Sequence, residues 1–154
     1  MNDRPWVNLL GTNKIATVDP ETYEPEFYDL GSDATRSRRI GVASDGAVWY
    51  VDYAGGHIGR LEPGSGTVQE WLTPGGRRSR PYAMVIDHRD RVWFVETGSH
   101  PNLLIGFDPW KEKFVSTTEI PSGGGSVRHM IFHDPTRTLW FGTDTGTVAR
   151  LRLE

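Results

Sequence analysis

The stretch Val92-Trp93-Phe94-Val95 is one of four versions of a short aromatic phrase in this chain of 154 residues. Its tryptophan has counterparts at Trp6, Trp49 and Trp140, so the intervals between them are 43, 44 and 47 residues. Short strands repeated at such a period indicate a repeat architecture, and the unit has the length of a four-stranded propeller blade. The sequence therefore predicts an all-β fold, a β-propeller.

Each complete unit is predicted to contain four strands separated by glycine-rich or proline-containing turns. In the second unit the predicted strands are 39–44, 47–52, 57–62 and 67–72, and in the third they are 82–87, 91–96, 103–108 and 113–120. The chain begins on the second strand of a unit, at 6–10, and closes on the third strand of another, at 147–153. The count is therefore three, four, four and three strands.

These strands form an incomplete propeller of about three and a half blades. We predict one partial domain over residues 1–154, with units at about 1–34, 35–77, 78–123 and 124–154. A propeller closes its ring, usually by completing one blade with strands from both termini. Two explanations of the incomplete ring remain open: two copies associate to close it, or the sequence is a truncated piece of a longer chain.

The composition excludes several classes of function. A net charge of −3 and an isoelectric point of about 5.9 give no bulk positive field for nucleic acid. No apolar run approaches a membrane span. There is no cysteine, which excludes disulfides and thiolate zinc sites. The first twenty residues lack a secretion signal, so we expect a cytoplasmic protein as written, with export if an N-terminal part is missing.

The inner hairpins locate a rim, the end of the central channel where the inner strands begin and where a small-molecule ligand is expected. Tyr82 and Glu96 lie symmetrically about the Arg89-Asp90 turn, so we expect them to face or nearly face each other across an antiparallel pair. Arg38 and Asp52 are related in the same way one unit earlier. The residues expected on this rim are Arg38, Asp52, Tyr82, Glu96, Arg128, His129 and Thr143.

Several phrases in this order resemble the virginiamycin B lyase family. They are Gly11-Thr12-Asn13-Lys14-Ile15, Trp49-Tyr50-Val51-Asp52-Tyr53, Ser79-Arg80-Pro81-Tyr82, Trp93-Phe94-Val95-Glu96-Thr97-Gly98 and Val127-Arg128-His129-Met130. The resemblance spans the whole chain but only the C-terminal half of a family member. It implies part of a seven-bladed propeller and a magnesium-dependent C–O lyase, which linearises streptogramin B antibiotics by elimination, without adding water.

The family's catalytic pattern is matched here at one position. In the family, Glu-Pro-His begins an inner strand, a Glu follows fourteen residues after the His, and another His lies one blade earlier. Glu96 matches that second Glu, whereas Tyr82 and Arg80 replace the His and the first Glu. Arg38 replaces the earlier-blade His. The candidate metal ligands for Mg²⁺ are therefore Glu96 and its counterpart Asp52.

An elimination requires a base near the acidic carbon and a cation to stabilise the developing charge. His129 lies one position from the matching rim position and is the candidate base. Tyr82 is a second candidate catalytic residue, as a hydrogen-bond donor to the ligand. The alternative for each is structural: His129 bonded to a backbone carbonyl, and Tyr82 filling a narrow channel.

Four arginines make the predicted rim locally basic, namely Arg38, Arg39, Arg80 and Arg128. Guanidinium groups bind carboxylates and phosphates in a bidentate manner, which suits an anionic ligand. The alternative is a lattice of ion pairs with Asp52 and Glu96. Two functions therefore remain open: a lyase acting on a cyclic or ester-bearing small molecule, or a non-catalytic module that binds a small anionic ligand or a partner protein.

Overall fold

Fourteen strands form four antiparallel sheets in the computed structural model, which describes residues 4–32 and 34–154. The first two sheets contain β1 (Trp6–Leu9), β2 (Lys14–Val18) and β3 (Pro25–Asp29), then β4 (Ser37–Val42), β5 (Val48–Asp52), β6 (His57–Glu62) and β7 (Thr67–Leu72). The last two contain β8 (Pro81–Ile86), β9 (Val92–Glu96), β10 (Leu103–Asp108) and β11 (Lys113–Glu119), then β12 (Met130–His133), β13 (Thr138–Gly142) and β14 (Val148–Arg152).

Each sheet pairs its strands in chain order, as a propeller blade does. The count of three, four, four and three confirms the predicted strand pattern among the described residues. Each sheet also falls within one predicted unit, although residues 1–3 and 33 of the first unit lie outside the described residues. Two 3-10 helices, Gly76–Arg78 and Asp134–Thr136, lie in connections between strands. No helix in the described chain is both long and apolar enough to cross a membrane.

Apolar side chains from adjacent sheets form the core. Between the second and third sheets, Trp49 packs on Phe107 with ring centroids 5.7 Å apart, and Trp49 is 1 % exposed. Trp93 occupies the equivalent place between the third and fourth sheets and is 4 % exposed. Trp6 and Trp140 are only partly buried, because each belongs to an end sheet. The recurring tryptophans are therefore core residues, as their spacing suggests, and those of the two inner blades are the most deeply buried.

The two end sheets have apolar residues on uncovered faces. Val7 and Phe27 of the first sheet are 46 % and 55 % exposed, and Ile131 and Val148 of the last are 51 % and 77 % exposed. Apolar patches of this kind are typical of surfaces that contact another molecule or segment. The self-association suggested by the sequence remains a prediction.

A β-bulge lies near the beginning of two inner strands and changes the predicted register. In β4 the shift falls between Ser37 and Arg39, so Asp52 pairs with Ser37 and not with Arg38. In β8 it falls between Pro81 and Met84, so Glu96 pairs with Pro81 instead of Tyr82. The predicted pairs therefore nearly face each other, with a displacement of one residue, because a bulge inserts an extra residue that symmetrical counting about the turn does not detect.

Candidate functional site

A group of aromatic and basic side chains from neighbouring blades gathers at the rim. The guanidinium of Arg38 lies 4.4 Å from the ring centroid of Tyr82 and 4.9 Å from that of Tyr53. Arg38 Nη2 also donates a hydrogen bond of 3.3 Å to the Tyr82 hydroxyl. The two tyrosine rings meet edge to face, with centroids 5.9 Å apart. Arg38 thus contacts two aromatic rings, one from the second blade and one from the third.

Two further arginines extend this group across a third blade. The Arg39 guanidinium lies 5.2 Å from the Tyr82 ring centroid, and its Nε donates to the backbone carbonyl of Arg128 at 3.0 Å. The strands β4, β8 and β12 are the inner strands of three successive blades. The contact joins β4 to the loop that leads into β12, so the group reaches all three blades. We call these five residues the rim cluster: Arg38, Arg39, Tyr53, Tyr82 and Arg128.

Among the described residues, the alternative reading of the rim as a lattice of ion pairs with Asp52 and Glu96 is not observed. Within residues 4–32 and 34–154, neither Arg38 nor Arg39 forms an ion pair with a carboxylate. Arg128 pairs instead with Asp144, at 2.8 Å, through side chains that are both substantially exposed. The positive charge of Arg38 and Arg39 is therefore not neutralised by Asp52 or Glu96.

Asp52 is a structural carboxylate in the second blade. Only 2 % of the residue is exposed, and its Oδ1 accepts hydrogen bonds from the amides of Arg36 and Ala54, at 2.8 and 3.0 Å. Its Oδ2 accepts from the amide of Gly55 at 3.0 Å, and His57 Nδ1 lies 3.6 Å from the same oxygen. Asp52 thus joins the segment before β4 to the turn after β5, so its available lone pairs are largely used by the protein itself.

Glu96 occupies the equivalent position in the third blade. It is fully buried, and its Oε1 accepts a hydrogen bond of 2.9 Å from the amide of Gly75 in the connection between β7 and β8. No hydrogen bond reaches its Oε2 within the described part of the chain. A methyl group at Gly75 would lie 2.5 Å from that oxygen, so the connection is packed directly against the carboxylate. Glu96 therefore holds this connection on the blade.

The residues present do not fit a magnesium site. Magnesium requires near-octahedral oxygen coordination and usually retains several waters, which a fully buried carboxylate cannot accommodate. Most lone pairs of the Asp52 carboxylate are used by backbone amides, and Glu96 is covered by Gly75. No group of three or more His, Asp or Glu residues close enough to hold a metal occurs in residues 4–32 and 34–154. The magnesium ligands implied by the resemblance remain a prediction, without support from this geometry.

His129 and Arg80 lie at the rim end of the sheets, and within residues 4–32 and 34–154 neither side chain forms a hydrogen bond, ion pair or ring contact with the rim cluster. His129 is exposed and lines a cavity of about 490 Å³ together with Arg128, Thr143 and Asp144. Arg80 is exposed and has a φ of 48°, in the left-handed region. Its backbone carbonyl accepts hydrogen bonds from Thr97, which anchors the beginning of β8.

Tyr53 is the one member of the rim cluster absent from the predicted site. Its signal in the sequence is its position directly after Asp52, at the end of the second aromatic phrase. The equivalent residue of the third blade is Thr97, so aromatic character there is not required by the repeat. A comparison of the repeats position by position would have identified it.

The sequence matches the profile of the Virginiamycin B lyase family over residues 1–151. Among solved structures, it is similar to virginiamycin B lyase from Staphylococcus aureus, with a TM-score of 0.76 and 19% identity over 99% of this chain and 53% of that chain. A gluconolactonase from Xanthomonas campestris gives a TM-score of 0.74 at 12% identity, over 97% of this chain and 53% of that chain. A comparison with curated proteins found no match.

These findings define the class of protein as a β-propeller segment of four antiparallel sheets. The chain belongs to the virginiamycin B lyase family. It spans about half the length of the family's solved structures. Because propellers of this shape include a lyase and a gluconolactonase, the likeness shows the fold and leaves the reaction to be argued from the residues.

Proposed function

We propose that this chain binds a small molecule bearing a carboxylate or phosphate group at the rim of its propeller. The observation that carries the proposal is the rim cluster, in which Arg38 contacts both Tyr53 and Tyr82, and Arg39 also lies close to Tyr82. In the described residues neither of these two arginines is neutralised by a carboxylate. Two adjacent guanidinium groups without a protein counter-ion favour an external anion.

The packing around Arg38 prepares it for such a ligand. A guanidinium carries five N–H donors in a fixed plane, and the structure uses one of them for the Tyr82 hydroxyl. The two tyrosine rings restrict the side chain, so less conformational entropy is lost when an anion binds. A planar, preorganised guanidinium is the group that recognises carboxylate and phosphate through paired hydrogen bonds.

The test is a calorimetric titration of the chain with inorganic phosphate and with phenyl phosphate. Arg38→Gln should weaken binding about tenfold or more, since a hydrogen bond to a charged group is worth about 1.5–3 kcal/mol. Arg152→Gln is the matched control, because it removes the same charge from an exposed position of β14. Equal weakening by both variants would mean non-specific attraction and would contradict the proposal.

A C–O lyase is the second candidate, favoured by family membership and by the cavity beside His129. In that reaction His129 would remove a proton from the carbon adjacent to the one that bears the leaving oxygen. The electron pair of the broken C–H bond would form a double bond as the C–O bond breaks, and the ester oxygen would depart without addition of water. Arg128, which lines the same cavity, would hold the departing anionic oxygen.

This second function is tested by incubating the chain with a streptogramin B antibiotic and following the linear product by mass spectrometry. Activity that disappears in His129→Ala and persists in the control His88→Ala would support it. His88 is exposed and stacks on Phe132, away from the cavity. Turnover unaffected by His129→Ala would exclude His129 as the base.

A further inference from the structure

A second cavity lies at the opposite end of the sheets from the rim. It has a volume of about 140 Å³ and is formed where the second blade meets the third. The turns that border it join β4 to β5, β8 to β9 and β10 to β11, which are all at the end where the inner strands finish. We call it the far-end cavity. It shares no lining residue with the rim cluster.

Tryptophan side chains form much of the far-end cavity. Trp49 is buried in its floor and stacks on Trp71, with ring centroids 5.5 Å apart and an interplanar angle of 22°. Trp110 lies at its edge and is 78 % exposed. Because Trp49 is almost completely buried, the aromatic surface open to a ligand comes from Trp71, which is partly buried, and from Trp110.

The turn that carries Trp110 does not need an aromatic residue. Asp108 shapes this turn by accepting a hydrogen bond of 3.0 Å from the Trp110 amide, which any residue could donate. The corresponding acidic-proline turns of the first two blades have Glu21 and Gly64 at this place. An indole so exposed gains little from burial in this chain, and its position at the cavity mouth leaves its ring available to a ligand.

Carboxylates outnumber basic groups around the far-end cavity. Asp45, Asp90 and Glu112 line it, together with a single arginine, Arg60. Arg60 donates to Asp45 at 2.9 Å, and its guanidinium lies 5.9 Å from the Trp49 ring centroid. Burial tends to raise the pKa of Asp45, but the Ala47 amide and Arg60 outweigh it and hold that pKa below its usual value. The lining thus retains net negative charge near neutral pH.

We infer that the far-end cavity binds a small organic cation, of the quaternary ammonium class. Aromatic faces attract cations through the ring quadrupole, and methylated ammonium groups are the cations that such aromatic sites recognise. The surplus carboxylates add attraction for positive charge and repel anions. The volume is well below the roughly 300 Å³ typical of pockets for drug-sized ligands. The cavity therefore suits a single quaternary ammonium group.

The experiment compares choline with 3,3-dimethylbutan-1-ol, its uncharged carbon isostere, by NMR titration of the indole N–H signals. Choline should shift the signals of Trp71 and Trp110, and the neutral isostere should bind roughly two- to thirtyfold more weakly, the range of a single cation–π contact. Equal binding of the two molecules would overturn the inference. Binding of glucose without choline would also overturn it, since that would define a carbohydrate site.

Matched variants locate the site without disturbing the core. Trp110→Ala should weaken choline binding severalfold, whereas Tyr23→Ala should not, although Tyr23 is also 78 % exposed and lies at an equivalent turn of the first blade. Glu112→Gln should weaken it by a smaller factor, and Glu119→Gln, at the end of β11, should have no effect. Choline binding that survives Trp110→Ala unchanged would contradict the inference. Arg38→Gln should leave choline binding intact, which separates this test from that of the rim.

Discussion

The rim and the far end of the same sheets use their charged groups in opposite ways. At the rim, the carboxylates of Asp52 and Glu96 are buried and bonded to backbone amides, whereas Arg38 and Arg39 form no ion pair within the described residues. At the far end, carboxylates predominate over the one arginine of the cavity. The buried carboxylates at the rim therefore stabilise the fold, whereas the far-end cavity has exposed carboxylates, those of Asp45 and Glu112.

Asp52→Ala should give the largest effect among the tests of this contrast. It would leave three buried amides, those of Arg36, Ala54 and Gly55, without their acceptor. We expect the free energy of unfolding to fall by about 3 kcal/mol, measured by urea denaturation. The control is Glu112→Ala at the far end, which should cost less than about 0.5 kcal/mol. Similar losses of unfolding free energy for the two variants would mean that the rim and far-end carboxylates do not differ in structural role.

Gly75→Ala should destabilise the fold through its contact with Glu96. The new methyl group would lie 2.5 Å from Glu96 Oε2, so the connection before β8 must move. We expect a loss of about 1–3 kcal/mol, the usual cost of overpacking. Gly64→Ala is the matched control, because a methyl group there meets nothing within 4 Å. A neutral result for Gly75→Ala, in thermal unfolding, would show that Glu96 is free to move and is not held beneath the connection.

The smallest expected effect concerns Asp45 and its dependence on pH. Because the pKa of Asp45 is lowered in the folded chain, its ionised form stabilises the fold above its ordinary pKa of 3.8, and this contribution is lost as the pH falls below that value. Asp45→Asn should therefore reduce stability at pH 7 by a few tenths of a kcal/mol, as expected for an exposed pair. The difference in the free energy of unfolding between this variant and the unaltered chain should shrink as the pH falls towards about 2.5. A difference that grows on acidification would contradict the assigned direction.

The sequence was sufficient to predict the sheets because the repeat signal is local. Predicted strands such as His57–Glu62, Thr67–Leu72 and Leu103–Asp108 coincide with the observed ones. Each strand is bounded by turn residues. Its pattern of aromatic or alternating apolar residues indicates which side chains are buried. The recurring tryptophans fixed the blade spacing in the same way.

The site was only partly predictable, because it depends on two features that spacing does not report. The bulges in β4 and β8 moved Asp52 and Glu96 out of register with Arg38 and Tyr82. Contacts between blades, such as that of Arg39 with the carbonyl of Arg128, join residues far apart in sequence. Of the four predicted rim arginines, Arg38 and Arg39 lie together with Tyr82, whereas the Arg80 side chain forms no hydrogen bond or ring contact with them among the described residues.

The most direct test of the account is an anomalous-scattering map of crystals soaked with selenate and manganese, as analogues of phosphate and magnesium. We predict a selenate peak within hydrogen-bonding distance of the Arg38 and Arg39 guanidinium groups, and no manganese peak at Asp52 or Glu96. A manganese ion coordinated by Glu96, with no selenate at the rim arginines, would contradict the central claim that the rim of this propeller recognises anions through arginine.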